Sequence, residues 1–259
     1  MAKPRWIPYP HATKAFAYPG EKLRAAWDKL HKGDREPFPK DVAAQEAWRL
    51  FHQGDFEAAV AKGLAAGGSG PTAANKAQAI YANGVETREA SRIALFEEVM
   101  KRAEAQARAD PKCANAHYLY AYAAGRYSQR ISVVKALAEG YGGRIRKALE
   151  SALALDPKHA DAHTAMGLFH AEILDKVGAL VGGVTYGAKR EAGEEHLRKA
   201  MKLNPDSPIA HVEAANGLVM LHGKKALDEA GALYARAAAM KPRDAMERID
   251  VDAAKAELE

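Results

Sequence analysis

The sequence predicts an all-α protein built from repeated helical hairpins, and three observations lead there. Alanine dominates while Val, Ile and Thr are sparse. Alanine is the strongest helix former and β-branched residues favour strands. Similar proline phrases recur: Ala109-Asp110-Pro111, Leu155-Asp156-Pro157, Leu203-Asn204-Pro205 and Met240-Lys241-Pro242, with Pro71 after Gly67-Gly68-Ser69-Gly70 a weaker fifth. Proline lacks an N–H and clashes with the preceding turn, so each phrase closes a helix. Finally, small and apolar residues, with one tyrosine, stand five, eight and twelve positions before the last three prolines: Ala152, Leu149 and Ile145; Ala200, Leu197 and Gly193; Ala237, Tyr234 and Ala230. Such offsets share one helix face. In the two earlier units that face is degraded, with Gln106 at the first of its positions before Pro111.

Taken in order, residues 1–19 are rich in proline and aromatics and read as irregular chain draped over the repeats. Leu23, Trp27 and Leu30 keep helical spacing, and Lys32-Gly33 is a stop. Asp41 caps the next helix, which carries Trp48 and Phe51, and Gly54-Asp55-Phe56 turns into its partner with Asp55 as N-cap. Unit two runs from about 73 to 110. Unit three has a first helix near 114–126 and a second at 144–155; unit four, 160–175 and 189–203; unit five, 208–222 and 226–240. Residues 244–259 read as a capping helix with a polar outer face. The domain reading is therefore an extension over 1–38, a repeat domain over 39–243 and a cap over 244–259.

Two units carry insertions. Arg130 to Tyr141 places Ile131, Val134, Leu137 and Tyr141 at helical spacing before Gly142-Gly143, and Val177 to Gly187 is apolar and glycine-rich. Each reads either as an extra half-helix folding back on the stack or as a lid over a pocket with glycines as hinges.

The totals narrow the function. In 259 residues, 38 Lys and Arg stand against 33 Asp and Glu, a net charge of +5 that does not demand nucleic acid. Basic residues gather between 126 and 147, where Arg126, Arg130, Lys135, Arg144, Arg146 and Lys147 face only Glu139. That stretch is either a rim that steers an acidic partner or a solvated basic face. The single cysteine, Cys113, rules out an internal disulfide and a cysteine metal cluster. Prolines interrupt the first ten residues where a signal peptide needs an apolar run, and the longest apolar stretch is about half the ~20 residues of a membrane span. A cytoplasmic protein without a membrane span is expected.

Ten histidines raise a metal reading, with His159, His163 and His170 on helical spacing. No His-Glu-x-x-His phrase exists, and His163 and His170 sit at packing positions, so the expectation is half-buried packing imidazoles and no metal. Gly67 to Gly70 lacks the Gly-Lys-Ser/Thr of a phosphate loop, and there is no Gly-x-Ser-x-Gly elbow. The chain is read as non-enzymatic, with no cofactor.

The phrases after the prolines carry a resemblance. Ala114-Asn115-Ala116-His117, Ala160-Asp161-Ala162-His163 and Pro208-Ile209-Ala210-His211 open first helices, and His163-x-x-Met166-Gly167-x-x-His170 overlays the Trp-x-x-Leu-Gly-x-x-Tyr pattern. The sequence resembles tetratricopeptide-repeat (TPR) proteins, with histidine where that family has tryptophan and units longer than its ~34 residues. The glycine phrase before His196-Leu197-Arg198-Lys199-Ala200 is also similar to two irregular groups: the T-component proteins of TRAP transporters and the regulators of microtubule dynamics.

The resemblance implies helical hairpins stacked as a short right-handed solenoid with helical insertions. It also implies a concave groove lined by first helices: Tyr118, Tyr122 and Arg126, then Thr164 and Leu168, then Val212 and Asn216. Tyrosine and arginine are common interface anchors. The expected role is a protein- or peptide-binding scaffold, self-association being one form of it. The competing role is binding of an apolar small molecule in a pocket closed by the glycine-rich insertions.

Overall fold

The computed structural model describes residues 6–259. The first five residues, where part of the N-terminal reading falls, lie outside the described residues, as do the side chains of Thr13, Val133 and Val134. The described chain is helical and has no strand. Its helices are α1 (Glu21–Leu30), α2 (Val42–Gln53), α3 (Phe56–Ala65), α4 (Gly70–Gly84), α5 (Glu89–Ala109), α6 (Ala114–Ser128), α7 (Val133–Ala138), α8 (Tyr141–Leu155), α9 (Ala160–Tyr186), α10 (Arg190–Leu203), α11 (Pro208–His222), α12 (Leu227–Ala238) and α13 (Ala245–Ala256). Helices α5, α8 and α10 end two residues before Pro111, Pro157 and Pro205, where proline chemistry requires an ending. Pro71 instead opens α4 from its first turn, where its missing N–H is no loss.

The chain divides into two compact units. One comprises Met1–Leu30, Glu36–Ser132 and Asp244–Met246; the other His31–Arg35, Val133–Arg243 and Glu247–Glu259. In the first, α2 packs on α3, α3 on α4, α4 on α5 and α5 on α6, while α4 also touches α2 and α6. That is the pattern of stacked hairpins, with α2, α4 and α6 as first helices. Its core is aromatic. Trp27 meets Trp48 edge-on at 5.8 Å, Trp48 meets Phe51 at 5.5 Å, and the Trp27 indole donates to the carbonyl of Glu36 at 2.7 Å. Beside it, His52 Nδ1 bonds the Asp244 carboxylate at 2.8 Å with both side chains buried.

The degraded face of the second repeat is a polar ladder between α4 and α5. Gln106 donates to the Thr72 hydroxyl (2.7 Å), Asn75 donates to Gln106 (3.2 Å), and Arg102 donates to Asn75 (2.9 Å) and Gln78 (2.8 Å). Gln78 completes the run by donating to Glu98 at 3.0 Å. Buried polar groups are tolerated when each finds a partner, so this ladder replaces the Ala/Leu contact of the later repeats.

The Asp41 cap forms as expected: its carboxylate accepts from Ala43 N at 2.7 Å and from Gly67 N at 3.2 Å. Asp41→Ala removes both and is expected to cost about 1 kcal/mol, read as a lowered urea midpoint with unchanged slope. Asp55, expected to cap α3, stands at the right position but makes no side-chain cap bond.

In the second unit, α8 packs on α9, α9 on α10 and α11, α10 on α11, and α11 on α12. Helices α9 and α10 meet through glycines. A Cβ on Gly167 would lie 2.6 Å from Leu197 Cγ and 3.0 Å from the carbonyl oxygen of Gly193. Ala171, Leu197, Ala214 and Leu221 form the buried core beside this contact, with Leu168, Leu174, Met201 and Leu233 around them. Segment His31–Arg35 is pinned here too: Gly33 accepts from Asp161 N (3.2 Å) and Arg35 pairs with Asp156 (2.6 Å).

The insertions resolve into short helices. The first is α7, followed by a left-handed turn at Gly140, after which α8 begins at Tyr141 rather than 144. The second continues α9 to a sharp break at Gly178, whose φ of 79° and ψ of 164° only glycine adopts readily. Beyond it the chain doubles back: Gly182 lies against Ile173 and Leu174, a Cβ there being 3.1 Å from Ile173 Cγ2. In a straight helix residues nine apart stand roughly 13 Å apart. The returning turn ends on α8, where Arg146 donates to the carbonyl of Tyr186 at 2.9 Å. Leu180 and Val184 on it are 81% and 83% exposed, so they face outward.

Candidate functional site

Histidines at the tryptophan position of α6, α9 and α11 have a local job. His117 Nε2 bonds the carbonyl of Pro111 at 3.1 Å and His163 Nε2 that of Pro157 at 3.0 Å. Each imidazole thus ties its helix to the proline turn six residues earlier. His211 uses its other nitrogen, Nδ1, to reach the carbonyl of Ser207 at 2.9 Å. His159 stands before α9 and caps it, Nδ1 accepting from Ala162 N at 3.1 Å.

His163 and His170 also meet a residue that sequence spacing did not single out, His196 on α10. The Nδ1 atoms of His163 and His196 are 2.7 Å apart, and the His170 and His196 ring centres 6.1 Å apart. His170 Nδ1 accepts from Lys189 N at 3.2 Å. Because His163 Nε2 faces a carbonyl it carries the hydrogen there, which leaves its Nδ1 to accept from His196. Burial lowers the pKa of all three, and His196, with His163 and His170 beside it, is held at about 4. They are neutral packing groups near neutral pH. Among the described residues no group of three or more His, Cys, Asp or Glu is arranged to hold a metal ion.

The seven groove residues fall into two sets. On α6, Tyr118 is buried while Tyr122 and Arg126 are half-buried; the two tyrosine rings are 6.1 Å apart and the Arg126 guanidinium lies over Tyr122 at 5.4 Å. These residues form one row along the helix, with its polar end toward solvent.

The second set is buried at Thr164 and Val212 and half-buried at Leu168 and Asn216. Thr164 is buried and donates back to the carbonyl of Ala160 at 3.2 Å. Leu168 packs on the core around Leu197, and Val212 belongs to a cluster with Ala237 and Ala254. Asn216 accepts from the Tyr234 hydroxyl at 2.5 Å. Helix α11 packs against α9, α10 and α12, and Val212 on it meets Ala237 of α12 and Ala254 of α13.

Next to the α6 row stand residues that the groove reading left out. Arg130, just past the helix end, reaches Glu89 at 3.7 Å, and Arg92 reaches the same carboxylate at 3.7 Å. The Arg130 guanidinium lies 5.7 Å over the Phe96 ring, and its Nε is buried without a hydrogen bond among the described residues. Burial lowers the Arg130 pKa; Glu89 opposes that and the charges of Arg92 and Arg126 add to it. The basic run between 126 and 147 was the available signal; Arg92, thirty-odd residues earlier, carried none.

A family model described as regulator of microtubule dynamics protein 1-3 matches residues 70–176, from the start of α4 into α9. No curated protein matches the chain. Among solved structures, a thermophilic TPR protein of Thermus thermophilus matches with a TM-score of 0.57 at 19% identity, covering 82% of this chain and 99% of that one. At that identity the likeness speaks for the fold alone. By fold the chain is a tetratricopeptide-like helical protein, with a likeness to the regulators of microtubule dynamics over residues 70–176.

Proposed function

We propose that the chain is a non-enzymatic scaffold that binds a protein or peptide, with α6 presenting the anchor side chains, in the cytoplasm and without a cofactor. The repeat domain in this reading is 39–243, with 1–38 packed on it and 244–259 closing its end. The observation that carries the proposal is the Tyr118–Tyr122–Arg126 row, half-buried at its outer end, on a first helix of a tetratricopeptide-like stack. An aromatic ring under a guanidinium gives large contact area and directed hydrogen bonds at small entropic cost. No helix among the described residues is long and apolar enough to cross a membrane.

Tyr122→Ala tests it. The variant is expected to weaken capture of the native partner about tenfold or more, with its melting temperature lowered only slightly. Native mass spectrometry of the protein isolated from its own source identifies the partner, and calorimetry compares the two forms. Unchanged affinity together with a loss of several kcal/mol of stability would make Tyr122 a packing residue and sink the assignment.

A further inference from the structure

The arginines around Glu89 are not arranged as ordinary surface ion pairs. Three guanidiniums, from Arg92, Arg126 and Arg130, stand close enough that the charges of the first two add to burial in depressing the pKa of the third. One carboxylate, Glu89, stands between Arg92 and Arg130, with both contacts at 3.7 Å. Charge-assisted pairs close to about 2.7–2.9 Å when they form fully. Glu89 therefore balances these two arginines without closing on either. The Arg130 Nε–H is buried and makes no hydrogen bond among the described residues. Phe96 and Tyr122 wall the arginines with aromatic faces, which lowers the local dielectric and strengthens any added ion pair. Glu89 itself is half-exposed, so the carboxylate that would have to yield is the one with room to move.

We infer that Arg92, Arg126 and Arg130 form a binding site for the carboxylates of an acidic peptide, with Glu89 as the internal competitor that the peptide displaces. The guanidinium fork matches a carboxylate in two parallel hydrogen bonds, and the Arg130 Nε–H is one of the donors such a pair needs. The site continues the α6 row, so a peptide seated on Tyr122 brings its acidic side chains within reach of Arg126 and Arg130. The inference rests on the scaffold reading and adds the chemistry of the partner.

The test uses the full chain at low ionic strength and isothermal titration calorimetry. The probes are a blocked decapeptide of alternating Glu and Tyr, the same peptide with Gln for Glu, and inorganic phosphate. Saturable binding of the acidic peptide is expected, with the Gln peptide binding at least ~10-fold more weakly. Arg130→Gln and Arg126→Gln should each weaken the acidic peptide ~10-fold, and Glu89→Gln should tighten it several-fold. A merely structural role for Glu89 predicts no such gain. Should Arg130→Gln unfold, Arg126→Gln and Glu89→Gln carry the test. Equal binding of both peptides, indifference of affinity to Arg126→Gln, weakening by Glu89→Gln, or uptake of phosphate without the peptide each overturns the inference. A native partner that is lost in Tyr122→Ala yet binds normally to Arg126→Gln would leave the scaffold reading standing and remove this one.

Discussion

Gly167→Val is expected to destabilise the protein by about 3 kcal/mol or more, at the upper end of what overpacking a core position costs. The added Cβ would enter a space already held by Leu197 Cγ at 2.6 Å and by the Gly193 carbonyl oxygen at 3.0 Å. Leu197 is a side chain and can turn aside; the Gly193 carbonyl is helix backbone and cannot move without shifting α10. The two branches of valine then meet a contact that accommodates none. Gly143→Ala is the control. It lies in α8 with nothing within 4 Å of the added methyl, so the swap should stabilise by up to ~1 kcal/mol through helix propensity. Urea unfolding of both variants reads the difference. A valine variant within ~0.5 kcal/mol of the parent would mean that α9 and α10 are not locked at this contact.

The rhythm of the repeats was legible because prolines and small residues act locally. Pro111, Pro157 and Pro205 end helices wherever they occur, and Gly167 falls at the glycine of the repeat pattern, where a small residue lets helices touch. What required three dimensions was the identity of neighbours. Gln106 looked like a flaw in an apolar face until Thr72, Asn75 and Arg102 stood around it, from two helices and up to 34 residues away. The groove positions turn on neighbours in the same way. A helical phase identifies which residues share a face, yet which face stays free depends on how many helices surround it, and α11 is enclosed by three. On α6 the same rule gave a row that keeps its outer end half-exposed. The fold-back after Gly178 was half legible. Its glycines marked a break, while the direction of return depends on a positive φ that only structure provides.

The histidine seam between α9 and α10 leads to the second large effect. His196 titrates at about 4 in the fold against about 6.5 in the unfolded chain, and burial lowers His163 and His170 as well. Lys199 from α10, Lys189 from the preceding turn and Arg146 from α8 oppose protonation of the seam. Glu195, Asp156 and Glu150 favour it. Between these two pKa values the unfolded chain binds more protons than the fold, so stability is full above about pH 6.5 and is lost as pH falls toward 4. The His196 shift alone sets an upper bound of about 3.4 kcal/mol, and partial solvent contact reduces this to about 2. Glu86, held at about 2 by Arg88, acts in a separate window, its contribution lost only as pH falls from the ordinary carboxylate range toward 2. Urea midpoints at pH 7.5 and pH 5 should therefore differ by an amount that His196→Leu largely removes, because leucine fills the space without a proton to bind. If the leucine variant retains the full acid sensitivity between pH 7 and 5, the seam is not its source. Protonation of His163 would also break its hydrogen bond with His196, since both Nδ1 atoms would then carry hydrogens 2.7 Å apart. Acid loosening should accordingly begin at the α9/α10 contact, and amide exchange at pH 5 should accelerate there before it does in the aromatic core around Trp48.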